Sequence, residues 1–317
     1  DLDGEIAGQL WLPEDIEEPQ FDLDADSADP AVNEKLQQHQ QVISEFLQRV
    51  AGFDECRSVA MDNLDMHPVK ALRHHNFPWI TKGAVDFMEQ HADSEQPFFL
   101  YVATTAVHGP YHPEQWNHDL RYTPEGYLDD VPKYMIPKED IMAQLQDVPK
   151  WQHHRYAGMA CLNNHVKILL EKLDDLGIAE DTLVIFMADH NIEPGKATCY
   201  QKGHVVPTLL RWPQHIPAGS ITDALMQNID VMPTILQAAG VSDRPETDGV
   251  ELQPLFENPQ SSVRDYVYLE CGYARGITDG KYKYIALRFP DEVIERMKSG
   301  DTQYAANYLD RHKQAHS

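Results

Sequence analysis

Residues 181–191 of the chain read DTLVIFMADHN, an apolar run that ends abruptly in three polar side chains. A short unbroken run of this kind predicts a β-strand that is buried on both faces, as in a parallel sheet. The run leads into a loop that carries Lys196. Strand and loop together, residues 182–207, are the segment around which fold and function are interpreted.

A second strand and a long helix are predicted upstream of this segment. Residues 98–104, FFLYVAT, form another short apolar run, and the polar turn that follows contains His108. Between the two strands, residues 155–176 repeat apolar side chains at helical spacing until Gly177. The order strand, helix, strand indicates an α/β fold with a mainly parallel sheet flanked by helices. Further helices are predicted over residues 30–50, from about residue 81, and over residues 230–239.

The pattern changes in the last part of the chain. Residues 277–285, ITDGKYKYI, place Asp-Gly between alternating flanks, which is a strong signal for a β-hairpin. Residues 266–269 also have the composition of a strand. We therefore expect two parts, an α/β domain over residues 1–260 and a small antiparallel subdomain with a tail over residues 261–317.

Composition excludes several classes of function. The 317 residues carry a formal net charge of −25, which argues against nucleic acid as a partner because binding phosphates needs a basic surface. No stretch approaches the ~18 consecutive apolar residues of a membrane span. An acidic protein that binds an anionic substrate must keep a few cations in its cleft. Isolated Lys and His residues near strand ends are therefore of particular interest.

Polar side chains follow both predicted strands of the sheet. In open α/β sheets ligands bind beyond the carboxyl ends of the strands, where His108 and the group Asp189-His190-Asn191 would lie. A carboxylate at the end of a buried strand is costly unless it meets a cation or several donors. Asp beside His or Asn favours a hard ion such as Ca²⁺ over a structural Zn²⁺.

Each of these residues also has an ordinary structural interpretation. Asp189 could cap a helix, Lys196 could be a solvated loop residue, and His108 could bond the backbone of its own turn. Their grouping at two strand ends and in the adjoining loop is what favours a site for a metal ion and an anionic ester.

Five motifs in order resemble the sulfatase family of the alkaline-phosphatase-like superfamily. Residues 196–207, KATCYQKGHVVP, match its pattern K-G-T-x-Y-E-x-G-x-R-x-P in register, and residues 228–236, NIDVMPTIL, contain D-x-x-P-T-x-L. Residues 98–113 look like its strand and His-containing turn, residues 182–191 like its strand ending in Asp-His or Asp-Asn, and residues 275–285 like its C-terminal hairpin. Together they cover about residues 75–290.

The resemblance implies a hydrolase of sulfate esters, acting on a sulfated carbohydrate or another sulfate monoester with one bound Ca²⁺. It implies that Asp189 and His190 are metal ligands, with Asn191 as an alternative to His190. His108 and Lys196 would contact the sulfate and the leaving oxygen. The implied substrate contacts are His112, His204 and Arg275. Family habit also suggests a periplasmic or secreted location.

The sequence departs from the family pattern in several respects. Gln201 stands where the family has Glu, and Val205 where it has Arg. The family has a motif whose Cys or Ser is oxidised to the formylglycine nucleophile, and no Cys or Ser of this sequence fits it. Residues 271–275 have its spacing, but Tyr273 stands in place of Pro. We expect the nucleophile and an Asp pair for the metal to precede residue 1, which would make this chain a catalytically incomplete fragment.

Two alternatives to a sulfatase stay open at this stage. One is a phosphodiesterase or phosphonate hydrolase of the same superfamily, which its nucleophile would distinguish. The other is a relative that binds ligand without turnover.

Overall fold

A computed structural model describes residues 20–60, 67, 69–105, 108, 118–134, 136–191, 195–196 and 198–300. The chain divides into two compact units, Asp1–Ile178 and Ala179–Ser317, which are described separately. Among the described residues, no helix is long and apolar enough to cross a membrane. The four cysteines are free thiols.

The first unit is mainly helical. Its helices are α1 (Pro30–Ala51), α2 (Phe77–His91), α3 (Lys138–Gln144) and α4 (His153–Asp175), and its strands are β1 (Tyr122–Thr123) and β2 (Gly126–Tyr127), which pair antiparallel. Helix α1 confirms its prediction. The side chain of Asp29 accepts from the backbone N–H of Ala31, Pro30 begins the helix, and Gly52 ends it with a φ of 74°.

Helix α4 confirms its prediction in extent but not in the face that it buries. The large apolar residues Tyr156 and Met159 are 41% and 49% exposed, whereas Ala157 and Ala160 are buried. The two alanines belong to a core cluster that also contains Phe77, the first residue of α2. Small side chains allow close approach of a neighbouring helix, a packing preference that the apolar repeat alone does not reveal.

Buried histidines join the elements of the first unit. The hydroxyl of Thr81 on α2 donates to Phe77 O at 2.7 Å, so the ring Nδ1 of His165 on α4, 2.5 Å from the same oxygen, must be its donor. Burial lowers the pKa of His165 to about 4 and that of fully buried His74 to about 3. Both rings are therefore neutral at pH 7.

Acid is expected to destabilise the first unit. Because the folded-state pKa of each buried histidine lies below the unfolded value of 6.5, the unfolded state binds more protons as the pH falls. Stability should therefore be constant above about pH 6.5 and should decline from there towards pH 5, by up to about 2 kcal/mol for each such histidine. Urea unfolding monitored at pH 7, 6 and 5 measures the decline.

A matched variant identifies the source of this decline. His165→Asn keeps a nitrogen near the Thr81 hydroxyl but does not titrate, so its stability should depend less steeply on pH. An unchanged slope would show that His165 does not contribute.

The second unit contains the strand on which the fold prediction centres. Its helices are α5 (Gln201–His204), α6 (Val231–Ala238), α7 (Gln253–Glu257) and α8 (Asp291–Lys298), and its strands are β3 (Val184–Met187), β4 (Thr208–Arg211), β5 (Val267–Cys271), β6 (Ala274–Thr278) and β7 (Lys283–Leu287). The core cluster around Trp212, Leu252 and Phe256 packs against Leu183 and Leu210.

The strand pairing differs from the parallel arrangement expected from the sequence. Strand β3 is half-buried along its length and pairs antiparallel with β4, and every pairing among the described residues is antiparallel. Residues 188–207 connect β3 to β4, and the chain re-enters the sheet from the end at which it left.

The other predicted strand is also different. Residues 98–104 are not assigned to a strand, and the side chains of Phe99 and Tyr101 are 56% and 69% exposed. An extended segment becomes a strand only by pairing, and the described residues form no ladder with this one. An apolar run indicates burial but does not reveal a partner.

The C-terminal hairpin is confirmed. Strands β5, β6 and β7 form a three-stranded antiparallel sheet. The predicted Asp-Gly turn joins β6 to β7, where Gly280 has a φ of 85° and Asp279 Oδ1 accepts from the backbone N–H groups of Lys281 and Tyr282 at 2.9 and 2.6 Å. A domain boundary at residue 260 stays a prediction.

A buried carboxylate holds α6 to the loop that precedes α7. Asp230 is fully buried, and its carboxylate forms an ion pair with Arg264. It also accepts from Gln227 N at 2.7 Å and from Val250 N at 2.9 Å. The carboxylate thereby meets a counter-charge and two backbone donors, which offset the cost of its burial.

Candidate functional site

The end of β3 carries the predicted metal ligands. Asp189 follows the strand and its side chain is 85% exposed, with Oδ2 lying 3.2 Å from His190 Nε2. Asn191 donates from Nδ2 to Val205 O at 2.8 Å, which ties the end of β3 to the loop before β4. The side chains of Asp189 and His190 are thus in contact, whereas the amide of Asn191 is engaged by the backbone before β4, and the role of all three as metal ligands stays a prediction.

The hydrogen bond of His190 fixes how its ring faces Asp189. Nδ1 lies 2.8 Å from Asn191 O, and because a carbonyl only accepts, Nδ1 carries a proton. If the ring is neutral, the lone pair of Nε2 faces the carboxylate of Asp189, and two acceptors meet. A metal ion between the two atoms would be bound by both.

This donor set fits a hard cation in part. A carboxylate and an imidazole nitrogen are ordinary metal ligands, but Ca²⁺ takes 6–8 oxygen ligands. Within the part of the chain that the structure describes, no group of three or more His, Cys, Asp or Glu residues is arranged to hold a metal ion. The described residues can therefore supply only part of a coordination sphere.

The loop that carries Lys196 is compact because of two glycines. Gly195 has a φ of 126°, and a Cβ on Gly203 would lie 2.2 Å from Gly195 O and 2.6 Å from Thr198 O. The Thr198 hydroxyl donates to Gly195 O at 2.7 Å and closes the turn. Lys196 is half-buried on this turn, and its ammonium has no ion-pair partner among the described residues.

His204 lies in the same loop with both ring nitrogens engaged. Nδ1 donates to Tyr200 O at 2.6 Å, so Nε2 accepts from Lys283 Nζ at 2.9 Å. Burial, followed by the charge of Lys283, lowers the pKa of His204 despite the bond to Tyr200. His204 therefore braces the loop against β7, and its predicted role as a substrate contact stays a prediction.

Lys283 is a residue whose role the sequence did not suggest. In addition to His204, it donates to Gln201 Oε1 at 3.1 Å, and burial lowers its pKa. Its neighbours Tyr282 and Tyr284 are each 70% exposed. The alternation of strand faces over residues 282–284 could have indicated that Lys283 points inward.

The remaining predicted substrate contacts lie elsewhere. Arg275 on β6 pairs with Glu270 at 2.5 Å and donates to Gly272 O and Ala274 O at 2.7 and 2.9 Å. These contacts occupy its guanidinium within the C-terminal sheet, and its role stays a prediction. His112 lies outside the described residues.

His108 belongs to the first unit. Its side chain is exposed, and its backbone N–H donates to Thr105 O at 3.1 Å. The hydroxyl of Thr105 lies 2.9 Å from His75 Nδ1, a contact that the sequence did not predict.

Comparison with protein families defines the class. The family model named Sulfatase matches residues 46–241, and the model named N-sulphoglucosamine sulphohydrolase, C-terminal, matches residues 195–297. The first match covers more than half of the chain. The chain belongs to the sulfatase family, as its motifs predicted.

The curated relatives are sulfatases from different organisms. The chain is 28% identical over 239 residues to an ulvan-active sulfatase of Formosa agariphila, an alignment that covers 71% of this chain and 44% of the relative. It is 28% identical over 221 residues to human arylsulfatase A, covering 63% of this chain and 38% of that protein. The chain spans about half the length of the curated relatives it matches or less.

A solved structure supports the fold. The crystal structure of yidJ from Bacteroides fragilis, assigned as a sulfatase, aligns with a TM-score of 0.50 at 19% identity, covering 68% of this chain and 49% of that one. This structural similarity confirms the predicted fold class, α/β of the alkaline-phosphatase-like type with an antiparallel C-terminal part.

Proposed function

We propose that the protein is a sulfatase that hydrolyses sulfate monoesters, with a carbohydrate as the alcohol, at a Ca²⁺-dependent site. The observation that carries the proposal is the arrangement in the second unit. There, the Asp189–His190 pair lies beside a glycine-shaped turn that presents Lys196 without an ion-pair partner among the described residues. In a strongly acidic protein, a cation that no described carboxylate neutralises suits an anionic ester.

The chain's own residues supply three parts of the reaction in this proposal. The ammonium of Lys196 neutralises charge on the sulfate and on the oxygen that leaves. His108 keeps the role of proton donor that the resemblance implies. Asp189 and His190 contribute to holding the metal, which when bound would neutralise the sulfate oxygens further. No step is derived for the nucleophile that the resemblance implies.

The names of the relatives support a carbohydrate as the alcohol of the sulfate ester. The family members that this chain resembles include an ulvan-active sulfatase and N-acetylgalactosamine-6-sulfatase of the dog, at 28% and 27% identity. Choline-sulfatase of Rhizobium meliloti is equally similar, at 27% identity. Sulfated sugars are therefore the favoured class, and a small sulfate ester is the comparison to include in the assay.

The proposal predicts hydrolysis that is selective for sulfate and depends on a divalent cation. We expect the protein produced from its complete gene to hydrolyse 4-nitrophenyl sulfate and to release sulfate from sulfated oligosaccharides. EGTA should abolish both activities, and added Ca²⁺ should restore them.

Parallel assays on 4-nitrophenyl phosphate and bis(4-nitrophenyl) phosphate test the related reactions. Faster turnover of either phosphate compound would assign the protein to the phosphoesterases of the superfamily. Binding of sulfated oligosaccharide without release of sulfate would identify a non-catalytic relative.

A further inference from the structure

His75 lies immediately before helix α2 and reaches a distant segment of the first unit. It is 7% exposed, and its Nδ1 lies 2.9 Å from the hydroxyl of Thr105, 30 residues along the chain. A side chain that is buried and hydrogen-bonded over this separation fixes two segments of the chain relative to each other.

The residues on either side of His75 hold it in place. Asn76 adopts a left-handed conformation with a φ of 48°, and its Nδ2 donates to His74 O at 3.0 Å. The ring of His74 donates from Nε2 to Tyr122 O at 3.0 Å, and the ring of His75 packs against Phe77 with 5.5 Å between centroids. His75 is therefore anchored to the start of α2 and to β1 before it contacts Thr105.

Thr105 passes this restraint on to His108. Its hydroxyl contacts His75, and its carbonyl oxygen accepts from His108 N at 3.1 Å. The two bonds leave Thr105 little freedom, because one defines its side chain and the other its carbonyl. The turn that carries His108 is thus attached at its first residue to α2.

From this geometry we propose that His75 is a positioning residue for His108, acting through the Thr105 hydroxyl. The inference rests on the proposed function, since it assigns His75 a task only if His108 acts on the ester. A general acid must lie within hydrogen-bond reach of the oxygen that it protonates, and a displacement of 1 Å can cost about 10²-fold in rate. Fixing the turn to a helix limits such displacement.

The charge state of His75 agrees with a positioning role. Burial, followed by the charge on His108, lowers the pKa of His75 to about 4. At neutral pH His75 is therefore uncharged and can neither repel a protonated His108 nor replace it as an acid.

Two pairs of matched variants test the contact. Thr105→Val removes the hydroxyl and keeps the shape, whereas Thr105→Ser keeps the hydroxyl. His75→Leu removes the nitrogen, and His75→Asn has the same shape as leucine but retains a polar atom at the position of Nδ1. In the protein produced from its complete gene, we expect the Val and Leu variants to lower kcat for 4-nitrophenyl sulfate by about 10- to 100-fold with KM changed less than about 2-fold. The Ser and Asn variants should recover most of the rate.

A second measurement does not depend on activity. Long-range ¹H–¹⁵N spectra of the histidine rings, with His108 assigned by comparison with His108→Gln, should show the His108 signals shifted or broadened in the Val and Leu variants only. If wild-type protein hydrolyses no sulfate ester while these signals respond, the positioning contact is supported and the proposed function fails. The inference is overturned if His108 signals are the same in all four variants, or if Ser and Asn lower kcat as much as Val and Leu.

Discussion

Lys196→Ala is expected to lower turnover of sulfate esters by at least about 10²-fold in the protein produced from its complete gene. The reason is electrostatic. The ammonium of Lys196 is a half-buried cation of the loop. The loss of one preorganised donor to developing negative charge typically costs 10²–10³ in kcat. Steady-state kinetics on 4-nitrophenyl sulfate measure the loss, which should fall mainly on kcat because the leaving oxygen gains charge in the transition state.

Lys202 provides the matched control for this experiment. It lies in the same loop, six positions further on, but its side chain is exposed. Lys202→Ala removes the same charge from the loop and should change the rate less than about 3-fold, because exposed charges are screened by solvent and salt. Equal losses in both variants would mean that the loop acts through its overall charge. A wild-type rate in Lys196→Ala would remove Lys196 from the site.

Asp230→Ala is expected to cause the largest loss of stability, about 3–5 kcal/mol in the free energy of unfolding. Asp230 is fully buried and Arg264 nearly so, and the alanine variant would leave the guanidinium buried without its counter-charge. It would also remove the acceptor of Val250 N, which holds the loop leading to α7. Urea unfolding monitored by tryptophan fluorescence would report the loss directly, since Trp212 belongs to the core cluster of this unit.

An exposed ion pair of the same unit serves as the comparison. Glu270 and Arg275 form a contact of 2.5 Å, but their side chains are 68% and 48% exposed. Glu270→Ala should therefore cost no more than about 1 kcal/mol. The replacement of both Asp230 and Arg264 by apolar residues should cost less than Asp230→Ala alone, because no charge is then left buried. If Asp230→Ala costs as little as Glu270→Ala, the buried pair is not a source of stability.

Local signals in the sequence predicted local structure well. The Asp29-Pro30 start and Gly52 end of α1 and the Asp279-Gly280 turn between β6 and β7 follow from side chains that act on their own backbone. The end of β3, with Asp189 and Lys196 nearby, was also recognisable, because a polar group after an apolar run is a local pattern. The family followed from five such patterns in order.

Features that depend on distant parts of the chain could not be predicted in this way. The apolar run at residues 98–104 was interpreted as a strand, but pairing requires a partner that the run does not specify. The contact of Lys283 with His204 joins residues 79 positions apart, and that of His75 with Thr105 joins residues 30 apart. Only the tertiary fold of each unit brings these residues together, so no local pattern in the sequence indicates them.

The hydrogen bonds from Lys283 to Gln201 and His204 limit where the protein can be truncated. They join the C-terminal sheet to the loop of Lys196, and the packing of Gly276 is equally close, since a Cβ there would lie 3.4 Å from Cys199 Cβ. The sheet is thus not a detachable module. A protein shortened at residue 260 for expression or crystallisation would lose the bonds that hold the loop of Lys196. For the same reason, the sheet could be exchanged between relatives only together with this loop.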